Sequence, residues 1–194
     1  MKNLSLVIIL LTLSFTTSCK GNKKESGTEQ EMKSEEMAPA KSNDTKEITV
    51  KLEPKNDSNV TGNVVFIEAD GVVTMTATLN GLTEGPHAIH IHEKGDCSSP
   101  DGKSAGGHWN PTNQPHGKWG SPDGYHRGDI GNVEANADGM GTITLSTDEW
   151  CIGCDDPNKN IIGKGIIVHQ GPDDFTSQPS GNAGARVACG AIMQ

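Results

Sequence analysis

Polar and apolar residues alternate through several short stretches of the chain, the spacing of strands that bury one face. Glu47 to Leu52 shows it first. Asn63 to Ala69 and Val72 to Leu79 repeat it on either side of Asp70-Gly71, a dipeptide suited to the positive φ angles of a tight hairpin. Pro86 to His92 is the next candidate. Asp129 to Ala135 and Gly141 to Ser146 pair around Asp138-Gly139, and Ile161 to His169 and Arg186 to Ile192 close the set. Between them lie Glu93 to Arg127, rich in Gly, Pro, Asn, Asp and Ser, and a second Gly-rich stretch after His169. Loops of such length are usually functional. There is no internal repeat and no amphipathic helix. The expected fold is all-β: an eight-stranded Greek-key β-barrel or sandwich with two long functional loops. Abundant glycine and scarce aromatic residues agree with it.

The N-terminus follows a different pattern. Lys2 precedes a short apolar run from Leu4 to Phe15, and Thr16, Thr17 and Ser18 lead into Cys19. Residues 1–18 read as an export signal, and the ending resembles a lipoprotein signal, in which the Cys becomes the lipidated first residue. No apolar run reaches the roughly 18 residues needed to span a membrane. Residues 20–45 are mostly Lys, Glu, Ser, Asn and Gly, too polar to bury a core. The expected organisation is therefore signal 1–18, lipidated Cys19 with a disordered tether to residue 45, and one folded domain over 46–194. The expected location is the periplasm or cell envelope, with membrane attachment through the lipid.

Charge and cysteines narrow the chemistry. The folded segment carries ten Lys and Arg against nineteen Asp and Glu, which gives it the whole chain's net charge of −9. An acidic body excludes nucleic acid as a partner. Export implies an oxidising compartment. With Cys19 set aside, Cys97, Cys151, Cys154 and Cys189 remain, and four cysteines allow three pairings. Cys151 and Cys154 are open to a local disulfide, two free thiols or a further metal site. Their C-x-x-C spacing lacks the βαβ context of a thioredoxin-like motif.

All seven histidines fall between His87 and His169. His90 and His92 stand two apart on an expected strand, so their imidazoles share one face. His108, His116, His126 and Asp129 lie in or beside the first long loop, and His169 ends another strand. Imidazoles with one carboxylate suit zinc and divalent copper. No Ser sits in a G-x-S-x-G turn, so a hydrolase triad is a poor reading.

Five segments, GPHAIHIHEKGDC (85–97), GGHWNP (106–111), HRGDIGNV (126–133), IIVHQGPDD (166–174) and GNAGARVACG (181–190), resemble copper–zinc superoxide dismutases in sequence and order. The resemblance spans nearly all of the expected folded domain. It implies copper on His90, His92, His108 and His169, and zinc on His108, His116, His126 and Asp129, with His108 bridging the two. It implies that Asp173 links histidines of both sites, that Cys97 and Cys189 form a disulfide, and that Arg186 attracts and orients superoxide. His87 matches a histidine that supports the barrel. The implied activity is conversion of superoxide to dioxygen and hydrogen peroxide, with a non-enzymatic metal-binding or copper-delivery domain as the alternative. A homodimer is among the assemblies left open. The segment between Asp173 and Arg186 has no Lys or Glu, unlike the charged guidance loop of the family, so attraction of the anion is expected to act at short range.

Overall fold

The computed structural model describes residues 45–194. The expected signal segment, Cys19 and nearly all of the expected tether lie outside the described residues. The strands are β1 (Lys46–Pro54), β2 (Thr61–Ala69), β3 (Val72–Asn80), β4 (Gly85–His92), β5 (Asp129–Ala135), β6 (Gly141–Thr147), β7 (Gly165–His169) and β8 (Arg186–Ala191). They pair in the order β1-β2-β3-β6-β5-β4-β7-β8, every pair antiparallel, and β1 meets β8. The sheet thus closes into a barrel and leaves no open edge. β3 lies beside β6 and β7 beside β4, so the β3–β4 and β6–β7 connections cross in Greek-key fashion.

Alternation builds the core. Val50 and Leu52 of β1, Val64 and Phe66 of β2, and Met75 and Leu79 of β3 point inward and are buried. The outer face of β3 and β6 is lined with hydroxyls, where Thr74 meets Ser146 at 2.9 Å and Thr76 meets Thr144 at 3.2 Å. Such cross-strand pairs stabilise a sheet modestly. The β2–β3 hairpin turns at Asp70 (φ 51°) and Gly71 (φ 78°), the two positive angles its sequence calls for.

β4 and β7 depart from the pattern because nearly every residue is buried on both faces. Ile89, Ile91, Ile166 and Val168 fill the barrel, while His90, His92 and His169 point outward beneath the long loops. Backbone pairing fastens the first loop to β4: Trp109 donates to Ile91 O at 2.8 Å, and Ile91 donates to Gly128 O at 2.9 Å. A Cβ at Gly128 would strike the Ile91 carbonyl, so only glycine allows this approach.

One expected strand is shorter than its sequence suggests. Ile161 to Lys164 do not join β7. Gly163 takes φ 78° and Lys164 donates to Ile161 O at 3.2 Å, so this segment turns before the strand begins. Ile161 is buried here as part of the core without being in a strand. A 3-10 turn at Lys103–Ala105, not anticipated from sequence, sits in the first long loop.

Candidate metal centre

Both strands that carry the outward histidines are irregular at those residues. The β4–β5 register shifts between Ile89 and His90, and the β7–β8 register shifts between Val168 and His169. Such bulges re-aim side chains beside active sites. His108 is drawn in by an isolated antiparallel bridge to His92. The result is two buried ligand sets, His90, His92, His108 and His169 in one and His108, His116, His126 and Asp129 in the other, with the donor atoms of each set within 4.8 Å of one another. His108 belongs to both. Its ring centroid lies 4.0 Å from that of His90, 5.0 Å from His92 and 5.3 Å from His116.

The second nitrogen of most of these rings decides where the first one points. His92 Nδ1–H donates to Gly106 O at 3.0 Å, and His169 Nδ1–H donates to Gly184 O at 3.3 Å. His90 Nε2–H donates to Asp173 Oδ2 at 2.8 Å, and His116 Nε2–H donates to Asp173 Oδ1 at 2.8 Å. His90 Nδ1, His92 Nε2, His108 Nε2 and His169 Nε2 are then left buried and without a hydrogen bond, and these are the four donors of the first set. In the second set His108 Nδ1 lies 2.8 Å from Asp129 Oδ1. His116 Nδ1 lies 3.0 Å from Asp129 Oδ2 without hydrogen-bond geometry, and His126 Nδ1 lies 3.2 Å from Asp129 Oδ1. Buried polar atoms are normally satisfied, and five imidazole nitrogens orphaned in one place fit metal ions. Four nitrogens in the first set suit copper, and three nitrogens with one carboxylate suit a closed zinc site.

Electrostatics agree with ligation at three rings of the first set, His92, His108 and His169. Burial, then the neighbouring imidazoles, push His108 down to about 4 despite the opposing pull of Asp129, and push His169 down to about 3. Burial also lowers His92, aided by His108. These rings are neutral near pH 7, the form that binds metal. His116 goes the other way. Burial opposes its proton, but Asp129 and Asp173 prevail and raise it to about 9. Burial would also raise Asp129, yet hydrogen bonds from His108, His116 and His126 hold its carboxyl well below the usual range.

Arg186 stands at the mouth. Its guanidinium donates to Gly102 O at 2.8 Å and to Gly106 O at 2.7 Å. With His92, His108 and His169 it lines a cleft of about 440 Å³. Cys97 of the first loop is bonded to Cys189 of β8 with Cα atoms 5.8 Å apart, and Cys151 is bonded to Cys154. His87 joins neither ligand set. It is buried and spans Thr83 and the His169 carbonyl, the latter at 3.0 Å from Nδ1.

Two amides that the sequence did not single out complete the frame. Asn132 grips the Asp173 peptide, accepting from its N–H at 2.7 Å and donating to its carbonyl at 2.9 Å. Gln178 grips the His116 peptide in the same way, at 2.8 and 2.9 Å. Asn132 lies inside a family-like segment, which is the only signal it gave. Gln178 gave none.

A closed Greek-key barrel with two adjoining ligand sets that share one histidine defines a dinuclear metalloprotein. A family profile described as copper/zinc superoxide dismutase matches residues 60–192, and the chain belongs to that family. Its cofactors are copper and zinc. It is 41% identical over 140 residues to "Superoxide dismutase [Cu-Zn]" of Caulobacter vibrioides, covering 70% of this chain and 80% of the relative. It is 36% identical over 141 residues to "Superoxide dismutase [Cu-Zn] 2" of Aquifex aeolicus, covering 70% and 81%. Superoxide dismutase-like protein YojM of Bacillus subtilis is 40% identical over 118 residues, 59% of each chain. Among solved structures, a double mutant of a SOD-like protein from Bacillus subtilis superposes with a TM-score of 0.67 at 36% identity, covering 75% of this chain and 97% of that one.

Proposed function

We propose that the chain dismutates superoxide, with His90, His92, His108 and His169 holding copper and His108, His116, His126 and Asp129 holding zinc. The observation that carries this reading is the complete first ligand set, three of whose rings, His92, His108 and His169, line the cleft beside Arg186. Copper, when bound, supplies the one-electron couple by which two superoxide anions and two protons become one dioxygen and one hydrogen peroxide. Arg186 attracts the anion and orients it at the mouth, and two backbone carbonyls fix the guanidinium for that task. His108 would serve both metals, and its buried Nε2, which has no hydrogen bond, is placed to take and return a proton. Asp129, His108, His116 and His126 would give zinc four protein ligands, and a site closed in that way serves structure.

A non-enzymatic metal-binding domain would need only part of this. Four nitrogen donors in the first set, together with a positioned arginine at the cleft, favour the enzyme. Arg186→Ile is expected to lower the rate constant with both metals bound, and Arg186→Lys to retain much of it, because a cation at the mouth focuses the local field despite an acidic body. Rate constants for the three proteins at full copper occupancy check this, and an unchanged Arg186→Ile removes the residue from the mechanism.

We further propose export and lipid attachment at Cys19, on the apolar run from Leu4 to Phe15 and the Thr-Thr-Ser-Cys ending. Cys19→Ser is expected to shift the protein from the membrane to the soluble fraction, since stable anchoring needs acyl chains. A wild-type protein already soluble contradicts this.

A further inference from the structure

Among the six histidines of the two ligand sets, His126 is held differently. His90 and His116 are steered by Asp173, His92 and His169 by backbone carbonyls, and His108 is drawn in by its backbone bridge to His92 on β4. The Nε2 of His126 makes no hydrogen bond among the described residues, and its Nδ1 faces only the ligand set itself. Its direction must come from the backbone on either side.

That backbone is gripped by a segment outside the metal pockets. Tyr125, just before His126, donates its hydroxyl to both oxygens of Glu149, at 2.9 and 2.8 Å. Arg127, just after it, pairs with the same carboxylate. The Arg127 carbonyl in turn accepts Trp150 Nε1–H at 2.9 Å. Trp150 is buried against Phe66 of the barrel and meets Trp119 edge-on at 5.3 Å, and Trp119 packs on Tyr125 at 5.0 Å.

The next residues lock this grip to the barrel. Cys151 is bonded to Cys154. Cys151 N–H donates to Lys159 O at 2.8 Å, and its carbonyl accepts from Ile161 at 3.1 Å. Ile152 N–H donates to Glu68 of β2 at 2.9 Å, and its carbonyl accepts Lys46 Nζ of β1 at 2.7 Å. The C-x-x-C pair therefore closes a small ring directly after the two gripping residues.

We propose that residues Glu149–Cys154 form a latch that positions His126 for the second metal, with the Cys151–Cys154 bond holding the latch in shape. Glu149 and Trp150 are positioning residues: they touch neither metal nor substrate and act through Tyr125 and Arg127. The inference rests on the metal-site reading above, but not on the activity.

The test loads the second pocket with Co(II), whose visible absorption reports its ligand geometry, and follows its loss to a chelator. Wild type is compared with Tyr125→Phe, with Glu149→Gln and with the double variant Cys151→Ala, Cys154→Ala. Each variant is expected to lose Co(II) about tenfold faster, the low end for residues that orient ligands, with a changed Co(II) spectrum. Copper(II) absorption from the first pocket is expected to stay as in wild type. Tyr125→Phe removes one half-buried hydroxyl, so its metal-free melting temperature is expected to fall by no more than a few degrees. Wild-type Co(II) spectra and loss rates in Tyr125→Phe and Glu149→Gln overturn the latch, as does a lowered metal-free melting temperature with unchanged Co(II) loss. A wild-type loss rate in the cysteine variant overturns the part assigned to the disulfide. Superoxide consumption by wild type, followed in the same series, separates the two claims: its absence overturns the proposed activity and leaves the Co(II) result to stand or fall alone.

Discussion

Replacing Asp173 with Ala is expected to weaken metal binding in both pockets at once, by about 10–100-fold, the range for residues that orient metal ligands. One carboxylate accepts from His90 Nε2 and from His116 Nε2, so its loss frees a ring in each ligand set. Both rings are buried, and each orphaned N–H costs about 1–3 kcal/mol. The carboxylate is itself tightly placed. Asn132 grips its peptide, Phe175 N–H donates to Oδ1 at 2.7 Å, and a methyl group at Gly181 would collide with Oδ1. Chelator competition for copper and zinc is the measurement, and affinities unchanged in both pockets contradict the account. A pH effect should accompany it. Burial would raise the Asp173 pKa, but hydrogen bonds from His116 and His90 outweigh it and hold the carboxyl well below its usual range. A group with a depressed folded pKa stabilises the protein above its unfolded pKa of about 3.9, and that stabilisation is lost as pH falls. Metal-free wild type should lose this contribution on acidification, and Asp173→Ala should lack it.

The second large effect belongs to the bond between Cys97 and Cys189. It spans 92 residues, and closing a loop of that size in the unfolded chain is worth about 4–5 kcal/mol by chain entropy. The local consequence reaches the cleft. The bond ties the first long loop to β8, three residues from Arg186, and the same loop supplies Gly102 O and Gly106 O to the guanidinium. Gly106 O also accepts from His92, so loosening this loop disturbs a copper-set ring and the arginine together. Cys97→Ala with Cys189→Ala is expected to lower stability by several kcal/mol and to reduce activity with both metals present. Denaturant unfolding checks the first, and a loss under about 1 kcal/mol contradicts it.

The sequence made some of this legible and hid the rest, for physical reasons. Strands with one wet face announce themselves by alternation, so β1, β2, β3 and β6 are readable to within one or two residues at their ends. β7 was not, because Ile161 and Ile162 look like strand residues while Gly163 turns the chain before Gly165. Alternation also could not decide between a barrel and a sandwich, since closure depends on β1 meeting β8. The shared face of His90 and His92 followed from period two. The grouping of His108, His116 and His126 with Asp129 could be suggested only by clustering and family likeness, because an irregular loop has no period. Asn132 and Gln178 act on peptides 41 and 62 residues away, and nothing local marks an amide for that role. The spacing of Cys151 and Cys154 is compatible with a disulfide, free thiols or a metal site, and the structure joins them.

The central claim is catalysis at the first ligand set. The most direct measurement is the rate of superoxide disappearance, followed by rapid mixing, for protein loaded with zinc alone and with copper and zinc. The account predicts fast consumption that requires copper, scales with copper occupancy and yields one hydrogen peroxide for every two superoxide anions. A protein that binds both metals in these pockets yet consumes superoxide no faster than its zinc-only form would contradict it.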